Sequence, residues 1–85
     1  MSKYEKAKKR ILNIPSDYQY LEARYLLGKM GFEEFNKGKT SGSRVKFYRE
    51  KDGRIVMLHK LHPTDIMDKG AVEDLVQKLK EMGEL

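Results

Sequence analysis

The hydrophobic positions of this chain recur at intervals of three and four residues in three separate segments, which predicts three helices. The first segment is interspersed with lysine and arginine, and it ends before Pro15, since a proline disfavours helical backbone in the residue before it. The second and third segments each carry one clear apolar face. These faces comprise, in chain order, Tyr4, Ala7, Ile11 and Ile14; Tyr20, Ala23, Leu27 and Met30; and Val72, Leu75, Val76 and Leu79.

Cap and stop signals accompany the second and third helices. Ser16 is the predicted N-cap of the second helix, with Gln19 as its reciprocal partner in a capping box. Gly31 supplies a C-terminal stop, because glycine readily adopts the left-handed backbone that ends many helices. Asp68 and Gly83 are the corresponding cap and stop of the last helix.

Three short segments between the second and third helices have the pattern of strands. Residues 32–36 form the first, and residues 45–48 alternate apolar and polar side chains as in a half-buried second strand. The turn Lys51-Asp52-Gly53 then leads into a third strand over residues 54–59. Its four central residues are all apolar, which predicts that much of both faces is covered. If only one face is covered, alternation leaves open which of its two sets of side chains points to the core.

This order of elements predicts one α+β domain, a helix, three antiparallel strands and a helix, with the helices on one face of the sheet. Residues 16–85 form this domain, and residues 1–15 add a short basic helix or arm at the N-terminus.

The amino-acid composition excludes several kinds of chemical site. The 85 residues include no cysteine, so the chain offers neither a disulfide framework nor a thiolate metal site. No apolar run approaches the ~20 residues that span a bilayer, and we expect a soluble cytoplasmic protein without a cofactor. His59 and His62 have H-x-x-H spacing, yet a zinc site would also need Asp65 or Asp68. We therefore expect no metal.

Positive charge is concentrated in one segment. Residues 37–60 hold eight basic and two acidic residues, whereas the rest of the chain holds ten basic and eleven acidic residues. All of the net charge of +5 therefore comes from this segment. Such asymmetry is typical of a surface that binds a phosphate backbone. The alternative is a solvated strand pair that lysine and arginine keep soluble.

Both histidines lie in the same basic segment. An imidazole can accept and return a proton near neutral pH, and could therefore activate a ribose 2′-hydroxyl for attack on the adjacent phosphate. Nearby lysine and arginine would stabilise the charge that develops in the transition state. Tyr48, next to Lys46 on the second strand, is either a stacking platform for a base or an ordinary half-buried strand aromatic.

The pairs Gly31-Phe32 and Gly42-Ser43, followed by a strand that ends in His59, resemble the HicA toxins of bacterial toxin–antitoxin systems. The resemblance covers residues 18–83. It implies a fold like that of the double-stranded RNA-binding domain. It also implies a metal-independent endoribonuclease that cleaves single-stranded mRNA and is held inactive by a HicB-like antitoxin. An acidic surface on that antitoxin, covering the basic face, is a further expectation.

The chain departs from that family at one important position. The histidine that follows Gly-Ser in the family is its catalytic residue, and here Arg44 occupies that position. Arginine stays protonated, so it can bind or stabilise phosphate but cannot act as a base. His59 and His62 are therefore the candidate catalytic residues. The candidate RNA-binding residues are Lys37, Lys39, Ser43, Arg44, Lys46, Tyr48 and Lys60.

Two other functions remain open. A non-catalytic RNA-binding module would need the same basic sheet, and its binding would survive loss of both histidines. A protein-interaction domain would instead receive another chain on the sheet face or at an edge strand.

Overall fold

The computed structural model describes residues 2–35, 44–59 and 66–85. In this part of the chain three helices accompany a three-stranded antiparallel sheet, as the α+β prediction requires. The elements are α1 (Lys3–Leu12), α2 (Tyr20–Lys29), β1 (Glu33–Phe35), β2 (Arg44–Arg49), β3 (Arg54–His59) and α3 (Lys69–Glu81). The predicted loop over residues 37–43 and the turn around Pro63 lie outside the described residues, as does the last residue of the predicted first strand, Asn36.

The helix ends follow the predicted signals with one exception. Asp68 accepts a hydrogen bond from the backbone N–H of Ala71 at 2.9 Å and so caps α3. Gly31 and Gly83 have φ angles of +96° and +80°, the left-handed conformation expected of the two stops. The prediction for Ser16 was wrong, because α2 begins four residues later.

Gln19 is the N-cap of α2 in place of Ser16. Its backbone N–H donates to the carboxylate of Glu22 at 3.0 Å, which completes a capping box one turn downstream of the predicted one. Gln19 also forms an isolated antiparallel bridge with Ile66, and the neighbouring N–H of Met67 donates to the carbonyl of Tyr18 at 2.9 Å. This pairing ties the start of α2 to the segment before α3.

The buried side chains form one cluster between the helices and a single face of the sheet. Every apolar position predicted for α2 and α3 is buried, and the sheet contributes Val45, Phe47, Val56 and Leu58. Leu26 of α2, which has no exposed surface, adds to the predicted set. Burying one such aliphatic side chain stabilises the fold by about 1.5–3 kcal/mol relative to leaving it in water.

Helix α1 packs onto this cluster. Ile11 is fully buried, and Tyr4, Ala7 and Ile14 pack against the core while partly exposed. Arg10 adds a polar link, since its guanidinium donates hydrogen bonds to both carboxylate oxygens of Glu22 on α2. Of the two arrangements expected for residues 1–15, the observed one is a helix docked on the domain.

Strand β3 is covered on one face only. Val56 and Leu58 are buried, whereas Ile55 and Met57 are 48% and 42% exposed. The expectation that the apolar run would be covered on both faces was therefore wrong. The physical reason is that all the helices of the described structure pack on the same side of this sheet, which leaves the alternate side chains of each strand without a layer above them.

Candidate nucleic-acid interface

The sheet presents an uncovered side, which we call the open face. Its described side chains are Glu33 and Phe35 of β1, Lys46 and Tyr48 of β2, and Ile55 and Met57 of β3. Cross-strand register arranges them in rows. Phe35, Lys46 and Met57 are direct partners in one row, and Tyr48 lies between Glu33 and Ile55 in the next. Phe35, Ile55 and Met57 were not among the residues proposed from the sequence, although the period-two alternation of the strands carries the signal that places them there.

Two aromatic rings lie side by side on the open face. The rings of Phe35 and Tyr48 have centroids 6.2 Å apart and meet edge to face. Phe35 is 40% exposed and Tyr48 is half-buried. Tyr48 therefore has the partly buried position that one alternative predicted, and it also forms half of an aromatic pair on the uncovered side. Exposed rings of this kind offer π-faces on which bases can stack.

Phe35 reaches the open face because its neighbour Glu34 occupies the helix side of β1. The Glu34 carboxylate accepts a hydrogen bond from the Tyr20 hydroxyl and forms an ion pair with Arg24 at 2.9 Å. A polar side chain thus points toward the helices with both a hydroxyl and a guanidinium to satisfy it, and the phenyl ring of the next residue takes the opposite side.

A third row of the open face lies on the side of Lys46 away from Tyr48. Arg44 of β2 and His59 of β3 are direct partners in the antiparallel register. Alternation from Ile55 and Met57 assigns position 59 to the open face, and the same reasoning from Lys46 assigns position 44. The alternation that the sequence left open is thereby resolved, because Val56 and Leu58 point to the core, and a catalytic role for His59 requires this arrangement of β3. The catalytic role itself stays a prediction.

Several predicted site residues lie outside the described part of the chain. They are Lys37, Lys39, Ser43, Lys60 and His62. Asp65, one of the carboxylates considered for a zinc site, also lies outside it. Within residues 2–35, 44–59 and 66–85 no group of three or more histidine, aspartate or glutamate side chains is arranged to hold a metal ion.

One of the eight basic residues counted in the charged segment is not on the surface. Arg49 is 4% exposed, and its guanidinium forms a bidentate pair with Asp52 at 3.0 and 2.7 Å. It also donates to Glu84 at 2.8 Å and to the carbonyl of Met30 at 3.1 Å. The hydrogen bonds to the two carboxylates raise the pKa of Arg49 above its ordinary value, with that to Asp52 contributing most, while the same contact lowers the pKa of Asp52.

Two of the described cations of the basic segment lie beside Asp52, and the other two are exposed lysines. Arg49 is internal, and Arg54 leans toward Asp52, with 3.9 Å between the nearest charged atoms. Lys46 lies on the open face and Lys51 is exposed in the hairpin turn. In the described structure the open face thus combines the ammonium group of Lys46 and the carboxylate of Glu33 with aromatic and aliphatic surface.

A second basic surface lies on α1. A groove between α1 and α2 is lined by Lys3, Lys6, Leu21 and Tyr25, and the ammonium group of Lys3 lies 4.6 Å from the centre of the Tyr25 ring. This groove is on the helical side of the molecule, so it is separate from the open face. No helix among the described residues is long and apolar enough to cross a membrane.

Comparisons with family models, with curated proteins and with solved structures give no match to this chain.

Proposed function

We propose that this chain binds single-stranded RNA across the open face of its sheet and cuts it as a metal-independent endoribonuclease of the toxin type. The observation that carries this proposal is the cross-strand pairing of Arg44 with His59, two residues along β2 from Lys46. On this proposal the guanidinium of Arg44 and the imidazole of His59 act together at the end of the aromatic surface, one as a permanent cation and the other as a proton carrier.

The open face combines aromatic rings with a cation, and this combination favours RNA as the ligand over a polyanion that has no bases. Unstacked bases can lie on the rings of Phe35 and Tyr48, and base stacking of this kind is worth about 1–3 kcal/mol per base. Lys46 lies between Phe35 and Met57 in the register, where its ammonium group can neutralise a backbone phosphate. Single strands suit such a surface because their bases are free to leave the helix stack.

The proposed reaction uses the 2′-hydroxyl of the RNA itself. The imidazole of His59 takes the proton of that hydroxyl, and the 2′-oxygen attacks the adjacent phosphorus. The new 2′-O–P bond forms as the bond between phosphorus and the 5′-oxygen breaks, and the leaving oxygen receives a proton from the imidazolium or from water. The products are a 2′,3′-cyclic phosphate and a 5′-hydroxyl. Arg44 stabilises the negative charge on the phosphate oxygens.

The observed order of elements supports the relationship to HicA toxins. Helix α2, three antiparallel strands and helix α3 follow one another as the resemblance implies, with α1 added before them. On this proposal the fold is of the double-stranded RNA-binding type, and a HicB-like antitoxin with an acidic surface silences the protein by covering the open face. A complex in which Arg44, Lys46 and His59 were fully solvent-exposed would contradict that masking.

Two alternatives retain specific support. The arginine at position 44 favours an RNA-binding module that does not cut, since a guanidinium cannot accept the proton of the 2′-hydroxyl. The exposed side chains of Ile55 and Met57 favour a protein-interaction domain, because they add apolar surface that a partner chain could cover.

Cleavage of a defined single-stranded RNA in the presence of EDTA tests the proposal. We expect the wild-type protein to cut, and His59→Ala to lose ~100-fold or more in rate while still binding RNA. Arg44→Ala should lose both affinity and rate, whereas Arg54→Ala, which removes an equal charge beside Asp52 at the hairpin, should behave as wild type. His62→Ala identifies whether the second histidine participates.

The outcomes separate the alternatives. RNA binding without cleavage would contradict the nuclease and support the binding module. Cleavage that His59→Ala and His62→Ala both retain would contradict proton transfer by histidine. Absence of both binding and cleavage would leave the protein-interaction domain.

A further inference from the structure

We propose that the outer edge of β3 pairs with the β3 of a second copy of this chain, giving a symmetric dimer with a continuous sheet. Strand order β1-β2-β3 leaves β3 at one edge, and no strand among the described residues pairs with its outer side. This inference concerns a surface other than the RNA-binding face and does not depend on the proposed function.

The two edges of the sheet differ in how they are protected. Edge strands of monomeric proteins are usually short, or carry charges that discourage pairing with another chain. Strand β1 has both protections, since it is three residues long and two of them are Glu33 and Glu34. Strand β3 has six residues in a regular ladder with β2, and its central four, Ile55 to Leu58, carry no charge. Such an edge is suited to pairing with another strand.

A groove beside β3 supports the same conclusion. It has a volume of about 330 Å³ and lies between the strand and α3. Apolar side chains of the core, Val56, Leu58 and Leu75, contribute to its lining. Helix α3 therefore does not close over this side of β3, and a neighbouring molecule could cover apolar surface there as well as pair with the backbone.

The charges of the groove identify the partner as a second copy. Its lining includes one acidic and one basic residue of α3, Asp74 and Lys78, both exposed. No ion pair is recorded for either of them within the described ranges. A net charge of zero offers nothing to a polyanion. It does suit an isologous interface, in which the same patch meets itself and Asp74 of each copy meets Lys78 of the other.

Strand geometry restricts the register of this dimer. Directly opposed residues of an antiparallel pair share a face, so a two-fold axis normal to the sheet must pass midway between one residue of β3 and the same residue of the second copy. An axis at Val56 sets Ile55 opposite Met57 of the second copy and aligns the apolar runs. The helices of both copies then lie on one side, and the two open faces become one continuous surface.

Sedimentation equilibrium with charge-exchange variants tests this dimer. Each variant alters an exposed side chain, so folding should be retained. We expect the wild type to dimerise with concentration. Asp74→Lys makes the groove wholly basic and Lys78→Asp makes it wholly acidic, so each variant alone should dimerise ~10-fold or more weakly. An equimolar mixture of the two should form heterodimers about as tightly as the wild type. Lys80→Asp changes a charge of the same helix that does not line the groove, and should leave dimerisation unchanged.

Amide hydrogen exchange locates the contact in the same samples. Protection of the β3 amides should rise with protein concentration while that of the β1 amides stays constant. A wild-type protein that remains monomeric at millimolar concentration would overturn the proposal. So would a mixture without heterodimers, or a dimer that leaves exchange in β3 unchanged.

Discussion

Arg49 and Glu84 form an ion pair of 2.8 Å across 35 positions of the chain. The same guanidinium holds Asp52 in the hairpin turn and the carbonyl of Met30 at the end of α2. It also lies over the ring of Phe32, 4.8 Å from its centre. One side chain thus connects the β2–β3 turn, the end of α2 and the residues after α3.

Removal of this guanidinium should destabilise the fold strongly. Arg49→Ala removes the guanidinium that two partly exposed carboxylates and a carbonyl share, and we expect a loss of about 2–3 kcal/mol in the free energy of unfolding by urea. Arg54→Ala is the matched control, because that side chain is half exposed and its distance to Asp52 is 3.9 Å. It should cost less than about 1 kcal/mol. Equal losses for the two variants would contradict the role assigned to Arg49.

The same contacts predict a dependence of stability on pH. Hydrogen bonds from Arg10 lower the pKa of Glu22, and hydrogen bonds from Arg49 lower that of Asp52. A carboxyl whose pKa is lower in the folded state stabilises the fold above its unfolded pKa, and that contribution is lost as the pH falls through the folded pKa. The ordinary values are 4.5 and 3.8, so unfolding free energy should decline as the pH falls below about 5.

Urea unfolding as a function of pH measures this decline. Glu22→Gln and Asp52→Asn should each be less stable than wild type at pH 7, and each should lose less stability on acidification. A wild-type curve that is flat from neutral pH down through the ordinary pKa values would contradict the prediction.

Gly31 should be difficult to replace. Its φ angle of +96° is strained for other residues, and an added Cβ would lie 3.4 Å from Cδ of Arg49. We expect Gly31→Ala to cost about 1–2 kcal/mol of unfolding free energy. Gly28 lies inside α2 with nothing within 4 Å of an added Cβ, so Gly28→Ala should instead stabilise by roughly 0.5–1 kcal/mol. Thermal unfolding of both variants shows whether each substitution raises or lowers stability. A stabilising Gly31→Ala would contradict the role of the left-handed backbone at this position.

Two buried tyrosines should respond differently to loss of the hydroxyl. The Tyr18 hydroxyl is buried and has no hydrogen-bond partner among the described residues, whereas the Tyr20 hydroxyl donates to Glu34. Tyr18→Phe removes an unsatisfied polar group and should change stability by less than about 0.5 kcal/mol or increase it. Tyr20→Phe should cost about 1–2 kcal/mol because it removes a hydrogen bond to a charged group and leaves Arg24 as the one described partner of the Glu34 carboxylate. Chemical denaturation measures the unfolding free energy of both variants. A larger loss of stability in Tyr18→Phe than in Tyr20→Phe would contradict the prediction.

The sequence alone was sufficient to predict the helices, the strands and most of the buried residues. Periodicity located all three helices, and Asp68 and Gly83 marked the ends of α3 because capping is a local interaction. Ser16 was a misleading signal, since the segment before α2 pairs with Ile66 and Met67, and long-range pairing of that kind has no local pattern. Gln19 and Glu22 then provide the cap instead.

The candidate site was only partly predictable for a related reason. Lys46 and Tyr48 stood out by composition, whereas alternation put Phe35 opposite Glu34 without saying which of the two faces the helices, and the ion pair of Glu34 with Arg24 decides it. Arg49 was counted as surface charge because its partners Glu84 and Met30 are distant in the chain. Burial of a charge depends on such tertiary contacts, which composition does not report.

The affinity of Tyr48→Ala for a labelled single-stranded RNA is the most direct test of the open face as the binding surface. We expect the wild type to bind with an affinity that falls with salt, and Tyr48→Ala to bind ~10-fold or more weakly through loss of base stacking. Tyr25→Ala removes a half-buried tyrosine from the α1–α2 groove and should bind as the wild type does. If Tyr48→Ala binds as tightly as Tyr25→Ala, or if the wild type does not bind RNA, the proposed function is contradicted.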